Sequence, residues 1–206
     1  RVVVSTPPIG GRVPPGVLYS AQLAGADAIY SLGGVQALAV MAYGLLPGLH
    51  PVDMIVGPGN AYVVEAKRQV FGDVGIDLLA GPTEIGIIAD DSADTFFVAC
   101  DLVGQLEHDP RSLGVLITTS RELGQAVLDQ IDQHLSAVST EAVARAAWEH
   151  GGEIILVADE QELVEVSDSY TMEHIEVLMR DPGRMLDRLT HYGSLFIGDG
   201  TTVAYG

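Results

Sequence analysis

The stretch Ala28-Ile29-Tyr30-Ser31-Leu32-Gly33-Gly34-Val35-Gln36-Ala37 sets the pattern of the whole chain. It begins as an apolar run typical of a strand, turns at two glycines and continues as a helical series of small apolar residues. Such runs and helical patterns alternate throughout the sequence. The strand-like runs are continuous Val, Ile and Leu stretches, which indicates strands covered on both faces and therefore parallel sheets in an α/β fold.

The alternation predicts an order of elements for the full chain. The predicted strands cover residues 2–5, 28–32, 54–56, 76–79, 84–89, 115–118, 154–157, 175–178 and 195–197. The predicted helices cover residues 14–24, 34–43, 62–70, 93–107, 120–135, 142–150, 161–167 and 182–189. The run Ala80-Gly81-Pro82-Thr83 is the best internal boundary, so we predict two α/β units, residues 1–82 and 83–206.

Charge and cysteine content exclude several classes of partner and site. The 206 residues include 28 acidic and 10 basic side chains, a net charge of −18. This charge repels nucleic acid and anionic membranes, so we expect neither as a partner. A single cysteine, Cys100, excludes an intrachain disulfide and a multi-cysteine zinc cluster. The absence of a secretory signal and of a membrane-spanning apolar run predicts a cytoplasmic protein.

Two glycine loops follow predicted strands and open predicted helices: Leu32-Gly33-Gly34-Val35-Gln36 and Val56-Gly57-Pro58-Gly59-Asn60. Glycine lets the backbone approach a ligand, and N–H groups at a helix N-terminus can hold a phosphate. Gln36 and Asn60 are predicted just inside the two helices, within reach of a ribose or base. Neither loop is the G-x-G-x-x-G fingerprint, so tight turns without a ligand are the alternative.

The predicted helix 93–107 ends in a polar face. Asp101, Gln105 and His108 are spaced by four and three residues, which places them on one side of a helix. Carboxylate and imidazole groups are ordinary ligands of zinc, and an amide is an uncommon one. The spacing alone leaves two interpretations open, a metal site or a helix end with a surface histidine.

An adjacent acid and imidazole, Glu173 and His174, occur at the junction between a predicted helix and a predicted strand. The pair offers two proton acceptors of different pKa, which suits a reaction that deprotonates an alcohol and then a water. Chance adjacency is the alternative, and position alone favours it.

Together these segments resemble the histidinol dehydrogenase family. The pieces that carry the resemblance follow the family order with similar spacing across nearly the whole chain. They are Ser31-Leu32-Gly33-Gly34-Val35-Gln36-Ala37, Gly57-Pro58-Gly59-Asn60, Glu65-Ala66-Lys67-Arg68-Gln69, Ala80-Gly81-Pro82-Thr83-Glu84, Gln105-Leu106-Glu107-His108, Glu173-His174 and Gly193-Ser194-Leu195-Phe196-Ile197-Gly198-Asp199.

The resemblance implies a homodimeric dehydrogenase that depends on NAD and zinc and oxidises an amino alcohol to the acid in two hydride transfers. It implies two incomplete Rossmann-like units with mainly parallel sheets. Gln36 and Asn60 match cofactor-contacting residues, and Thr83 matches a substrate-contacting hydroxyl. Gln105 and His108 match two metal ligands that also face the substrate.

Glu173 and His174 match the family's catalytic pair, which also contacts substrate. The resemblance implies that His174 accepts the alcohol proton, that zinc holds and polarises the substrate, and that Glu173 activates water for attack on the aldehyde. L-Histidinol is the substrate that the family name implies, with L-histidine as product in histidine biosynthesis.

Two departures bear on the substrate and on activity. Thr171-Met172 stands where the family usually has Gly-Pro, and residues 200–206 look more like the branch that oxidises 2,3-dihydroxypropane-1-sulfonate to sulfolactate. The family's remaining metal ligands and an N-terminal segment that helps hold NAD lie outside these residues. We therefore expect the 206 residues alone to bind metal weakly and to be inactive. A non-catalytic nucleotide-binding α/β domain is the alternative from another class.

Overall fold

The computed structural model describes residues 1–79 and 83–203 and separates the chain into two compact units, Arg1–Gly81 and Pro82–Gly206. The predicted boundary between residues 82 and 83 depends on residues 80–82, which lie outside the described ranges, so it stays a prediction. The described helices include none that is long and apolar enough to cross a membrane.

The first unit contains short elements. They are β1 (Val3–Thr6), α1 (Pro15–Leu23), β2 (Ala28–Ser31), α2 (Gly34–Tyr43), β3 (Met54–Ile55), α3 (Ala61–Val70) and β4 (Gly75–Ile76). The strands form two parallel pairs, β1 with β2 and β3 with β4. A small core of Leu38, Ala42, Ile55, Val70 and Val74 packs helices α2 and α3 against the second pair.

The second unit contains longer and better buried elements. They are β5 (Glu84–Ala89), α4 (Thr95–Leu106), β6 (Leu113–Thr118), α5 (Arg121–Ala137), α6 (Glu141–Gly151), β7 (Gly152–Leu156), α7 (Glu160–Tyr170), β8 (His174–Leu178), a 3-10 turn (Pro182–Met185) and β9 (Ser194–Ile197). The strands form one parallel sheet in the order β7-β6-β5-β8-β9. Apolar side chains cover both faces of this sheet, which explains why its strands are continuous apolar runs.

The predicted fold class, α/β with mainly parallel sheets, is confirmed. Three details differ. The strand predicted as buried at residues 2–5 is only half-buried, with Val2 60% exposed, because β1 has a single neighbour among the described strands. The strand predicted at 76–79 ends at Ile76. The helix predicted at 182–189 is one 3-10 turn.

Candidate active site

Four of the residues expected to carry chemistry, Thr83, Gln105, Glu173 and His174, meet at the amino ends of β5 and β8. Thr83 directly precedes β5, Glu173 directly precedes β8, and His174 is the first residue of β8. The two strands are neighbours and run parallel, with Ile85 paired to His174. Strand pairing therefore brings together segments that are 90 residues apart in the chain.

A line of hydrogen bonds connects a buried amide to the exposed carboxylate. Gln105, on the last turn of α4 and 4% exposed, donates through Nε2 to the hydroxyl of Thr83. The Thr83 hydroxyl in turn donates to Oε2 of Glu173 at 3.4 Å. The Glu173 side chain is 44% exposed, so one end of the line is fixed in the protein and the other faces solvent.

The ring of His174 has a defined orientation. Its Nδ1 lies 3.0 Å from the backbone oxygen of Glu84. A carbonyl oxygen only accepts hydrogen bonds, so Nδ1 is the donor, and within the described residues Nε2 has no hydrogen-bond partner. The side chain is 15% exposed, and Oε2 of Glu173 lies 3.6 Å from Nδ1. This arrangement leaves two proton acceptors side by side at the sheet edge.

The turn that precedes β9 closes against the backbone of Glu173. Gly193 donates to the oxygen of Met172 at 3.2 Å, and Ser194 donates to the oxygen of Glu173 at 2.8 Å. A Cβ at Gly193 would lie 2.6 Å from the oxygen of Glu173. The close approach of the two backbones beside Glu173 and His174 therefore requires a glycine at position 193.

Thr171, noted in the sequence before the Glu173-His174 pair, has an unusual backbone conformation. Thr171 caps α7 with φ of 51°, in the left-handed region that favours glycine. Met172 beside it is 1% exposed and packs in the core. This chain thus reaches the Glu173-His174 pair through a threonine held in a backbone conformation that favours glycine.

The predicted polar face on the helix 93–107 is wrong in one respect. Helix α4 ends at Leu106, so His108 lies beyond the helix and is exposed, and Pro110 follows shortly after. A proline near the C-terminus cannot continue the helix, which explains the early end. Asp101 and Gln105 remain on α4, but the three side chains do not form one helical row.

Gln105 and His108 fit a metal in donor type but do not complete a site. The bond to Thr83 uses the Nε2 of Gln105, and among the described residues Oε1 has no hydrogen-bond donor, so this oxygen is free to be a ligand. The described residues contain no group of three or more His, Cys, Asp or Glu side chains that could hold a metal. An amide oxygen and an imidazole supply half of a four-coordinate zinc site.

A buried carboxyl that sequence reasoning did not single out lies behind the site. Glu176, 0% exposed, is on the same face of β8 as His174, and Asp101 faces it from α4. Within the described part of the chain, neither Glu176 oxygen has a partner in hydrogen-bond geometry. Burial raises the pKa of Glu176 to about 8, and the negative charge of Asp101 adds to the rise. The signal in the sequence was a single acid within an apolar strand.

At the opposite, carboxyl edge of the same sheet, Asp90 bridges the turns that follow β5 and β8. The order of the strands reverses at β5, and in open α/β sheets ligands commonly bind beyond the carboxyl ends at such a point. Here Asp90, directly after β5, accepts the backbone N–H of Arg180 at 3.0 Å and that of Ser92 at 2.9 Å. The candidate residues Thr83, Glu173 and His174 lie instead at the amino edge.

In the first unit the two glycine loops do follow strands β2 and β3, as predicted. A Cβ at Gly33 would lie 2.6 Å from the Cβ of Pro7, and Gly34 has φ of 68°, so both glycines are structurally required. Gln36 is exposed in the first turn of α2. Its side chain is available to a ligand.

Asn60 precedes α3 rather than lying inside it. Its Oδ1 accepts hydrogen bonds from the backbone N–H groups of Tyr62 at 3.1 Å and Val63 at 3.2 Å, which makes it the N-cap. Because Oδ1 of Asn60 already accepts these two hydrogen bonds, only its amide N–H₂ is available to bind a ligand. A contact from Asn60 to a cofactor would therefore be a donated hydrogen bond.

A comparison with models of known protein families assigns this chain to a family. Residues 1–206 match the family model described as histidinol dehydrogenase. The chain belongs to the histidinol dehydrogenase family. The resemblance inferred from the motifs is thereby confirmed, whereas the roles of the individual site residues stay predictions.

Curated relatives and a solved structure agree with this assignment. A "Histidinol dehydrogenase homolog" of Shouchella clausii is 52% identical over all of this chain and 48% of its own length. A "Histidinol dehydrogenase" of Cereibacter sphaeroides is 44% identical over all of this chain and 47% of its length. The crystal structure of histidinol dehydrogenase from Elizabethkingia anophelis matches 99% of this chain and 47% of that one, with TM-score 0.92 and 33% identity. The chain spans about half the length of the relatives it matches.

Proposed function

We propose that the intact protein is an NAD-dependent, zinc-dependent alcohol dehydrogenase that oxidises L-histidinol to L-histidine by way of the aldehyde. The observation that carries the proposal is the pair of proton acceptors at the start of β8, with Nε2 of His174 free and Glu173 held by Thr83. Relatives named histidinol dehydrogenase at 44% identity support the substrate.

In the first oxidation, Nε2 of His174 accepts the proton of the substrate hydroxyl. The bond from Nδ1 to the oxygen of Glu84 stabilises the imidazolium that results, because a carbonyl dipole points at the new charge. Gln105 Oε1 and His108 would hold zinc, whose chemistry is to polarise the substrate oxygen, and Gln36 and Asn60 would hold NAD, whose chemistry is to accept hydride.

In the second oxidation, the carboxylate of Glu173 accepts a proton from water as the water oxygen bonds to the aldehyde carbon. The 44% exposure of Glu173 gives water access to this carboxylate. The hydrated aldehyde then loses a proton and a second hydride, which a second NAD would accept, and becomes the acid. Thr83, by its hydrogen bond to Oε2, keeps the carboxylate aimed at one place through both steps.

We further propose that the protein acts as a homodimer in the cytoplasm. Exposed large apolar side chains on the first unit support a covering partner or further chain, and they include Leu23 at 76% and Tyr62 at 77% exposure. The net charge of −18 supports a protein that avoids nucleic acid and anionic membranes.

A sulfonated diol, 2,3-dihydroxypropane-1-sulfonate, is the second candidate substrate. Relatives whose names carry the word "homolog", from Shouchella clausii and Mesorhizobium japonicum, are 52% and 50% identical to this chain. Relatives named histidinol dehydrogenase without that word, from Cereibacter sphaeroides and Nitrobacter winogradskyi, are 44% identical. This chain is more similar to the former relatives, which are named as homologues of the enzyme rather than as the enzyme, so we test the diol beside histidinol.

The test is NADH formation by the intact protein with each alcohol in parallel. We expect one alcohol to be oxidised, a chelator to abolish activity, and Glu173→Gln to slow complete oxidation about 10²- to 10⁴-fold while aldehyde accumulates. Glu165→Gln, at an exposed glutamate on α7, is the matched control. Turnover of NAD that neither the chelator nor Glu173→Gln affects would contradict the proposal. NAD binding without turnover would favour a non-catalytic nucleotide-binding domain.

A further inference from the structure

The only lysine of the chain, Lys67, is buried. Its side chain is 4% exposed on α3, although lysine is among the residue types least often buried. The ammonium donates to the carboxylate of Asp77 and to the backbone oxygen of Gly57, and it lies 3.5 Å from the oxygen of Leu78. A buried cation with these partners has a defined position.

Asp77 completes a clamp on one peptide group. Its Oδ2 accepts the backbone N–H of Gly57 at 2.7 Å, while its Oδ1 pairs with Lys67. Burial alone would raise the pKa of Asp77, but hydrogen bonds from Lys67, Gly57 and Leu78 lower it to about 2. The carboxylate is therefore charged at neutral pH, and the ion pair holds both the N–H and the C=O of Gly57.

Gly57 is the first residue of the glycine loop that enters α3. Its φ of 143° is in the region that side chains rarely adopt. The other end of the loop is fixed by Asn60, whose side chain caps the helix. A cavity of about 290 Å³ lies against the loop, and Lys67 and Asp77 are part of its lining. The loop is thus held at both ends beside an open space.

Stability alone does not account for this arrangement. A buried ion pair loses much of its attraction to desolvation, and apolar replacements are often equally stable. The next residue, Arg68, forms an ion pair that avoids this desolvation penalty, because it pairs with Glu65 on the surface of the same helix. A lysine that is buried and aimed at a loop backbone fits a role in shaping that loop.

We propose that Lys67 and Asp77 are positioning residues that hold the Gly57–Asn60 loop in the conformation that receives the cofactor. The inference rests on the proposed NAD-dependent function, because it assigns this loop to the cofactor. Neither side chain is a catalytic residue, since each acts through the Gly57 peptide.

The experiment uses the intact protein and the variant Lys67→Met, with Arg68→Met as the matched control on the same helix. Three quantities are measured: the Kd of NAD⁺, kcat and KM separately, and amide hydrogen exchange of residues 56–64. We expect Lys67→Met to raise the Kd and KM of NAD⁺ about 10-fold, because ordering the loop is then part of binding. We expect kcat to change far less, exchange in this segment to accelerate, and Arg68→Met to alter none of the three.

A double variant guards against simple loss of folding. Lys67→Met leaves the Asp77 carboxylate without its partner, whereas Lys67→Met with Asp77→Asn removes both charges and keeps an acceptor for the N–H of Gly57. We expect the double variant to fold at least as well as the single one and still to bind NAD⁺ more weakly than the wild type. Equal NAD⁺ affinity in the wild type and the double variant would overturn the proposal.

The outcomes separate this proposal from the proposed function. A wild type that binds no NAD⁺ would overturn the function itself. Suppose instead that the wild type binds NAD⁺ and that Lys67→Met binds it equally well despite faster exchange in the loop. This result would overturn only the assignment of the Gly57–Asn60 loop to the cofactor. Unchanged exchange in Lys67→Met would overturn the clamp.

Discussion

The two units place their candidate residues at opposite edges of their strands. In the first unit, the glycine loops follow the carboxyl ends of β2 and β3 and open helices. In the second unit, Thr83, Glu173 and His174 precede or open strands β5 and β8, while the carboxyl edge is bridged by Asp90. The first unit offers backbone N–H groups beside a cavity, and the second offers a hydroxyl, a carboxylate and an imidazole.

The difference agrees with the tasks proposed for the two units. A phosphate-bearing ligand is held by backbone N–H groups at helix N-termini, and glycine lets the chain come close. Proton transfer needs side chains with fixed direction, which the start of a central strand supplies because its neighbours hold it on both sides. Changes in the second unit should therefore affect chemistry, and changes in the first should affect cofactor affinity.

The largest expected effect is that of His174→Asn. The asparagine amide can still donate to the oxygen of Glu84, but no base remains at the position of Nε2. We expect kcat to fall about 10²- to 10⁴-fold with the Kd of NAD⁺ unchanged, measured by steady-state kinetics and by direct titration.

The control for this change is His150→Asn, at an exposed histidine near the end of α6. It should retain wild-type kinetics. A fall in NAD⁺ affinity for His174→Asn, with kcat preserved, would contradict the division of tasks between the units.

Next in size is the pH dependence caused by Glu176. Its pKa in the folded protein is about 8, above the ordinary 4.5, so between these values the folded state holds a proton that the unfolded state has lost. The free energy of unfolding must then fall as pH rises, by at most about 1.4 kcal/mol per pH unit. Glu176→Gln should remove this slope and be the more stable protein at pH 8. Urea unfolding at pH 6, 7 and 8 measures it.

Glu149→Gln, at an exposed glutamate on α6, is the control and should keep the wild-type slope. If the wild type and Glu176→Gln lose stability in parallel from pH 6 to 8, Glu176 is not protonated in the folded protein.

A smaller effect is expected for Gly193→Ala. The added Cβ would meet the backbone oxygen of Glu173 at 2.6 Å, so the turn must shift away from β8. We expect a loss of about 1–3 kcal/mol in unfolding free energy together with a lower kcat, because Glu173 moves with its backbone. Gly200→Ala, where nothing lies within 4 Å of an added Cβ, should change neither quantity.

The smallest effect concerns Asn60 and separates its two roles. Asn60→Ala removes the cap of α3 and should cost about 1 kcal/mol in stability. Asn60→Asp keeps the acceptor oxygen but loses the amide N–H₂, so stability should hold while the Kd of NAD⁺ rises. Thermal unfolding and NAD⁺ titration are compared for both variants. Wild-type affinity in Asn60→Asp would leave Asn60 as a cap only.

The sequence predicts the order of elements well because apolar runs and helical patterns are local. The sequence pattern places the Glu173-His174 pair at the junction between a helix and a strand, and in the structure His174 is the first residue of β8. The bonds from Gln105 to Thr83 and from Thr83 to Glu173 are beyond prediction from periodicity, because they depend on which strands become neighbours.

Two buried side chains, Lys67 and Glu176, show the same limit. Lys67 pairs with Asp77 ten residues away, and local patterns give no reason to bury the lysine. Glu176 lies in a run that predicts a strand, but its raised pKa depends on Asp101 from a distant helix. His108 was predicted on the helix because a spacing of three fits a helical turn, whereas the chain leaves the helix at Glu107.

The bridge between Asp90 and Arg180 has a consequence for how this unit can change over time. The five residues of β8 separate the two edges of the sheet by about 16 Å. Turns at the carboxyl edge take no part in the proposed chemistry, so they can lengthen or acquire new sequence while the proton-transfer residues stay in place. New loops after β6 or β7 are therefore where this unit could gain regulation or a binding partner without losing its reaction.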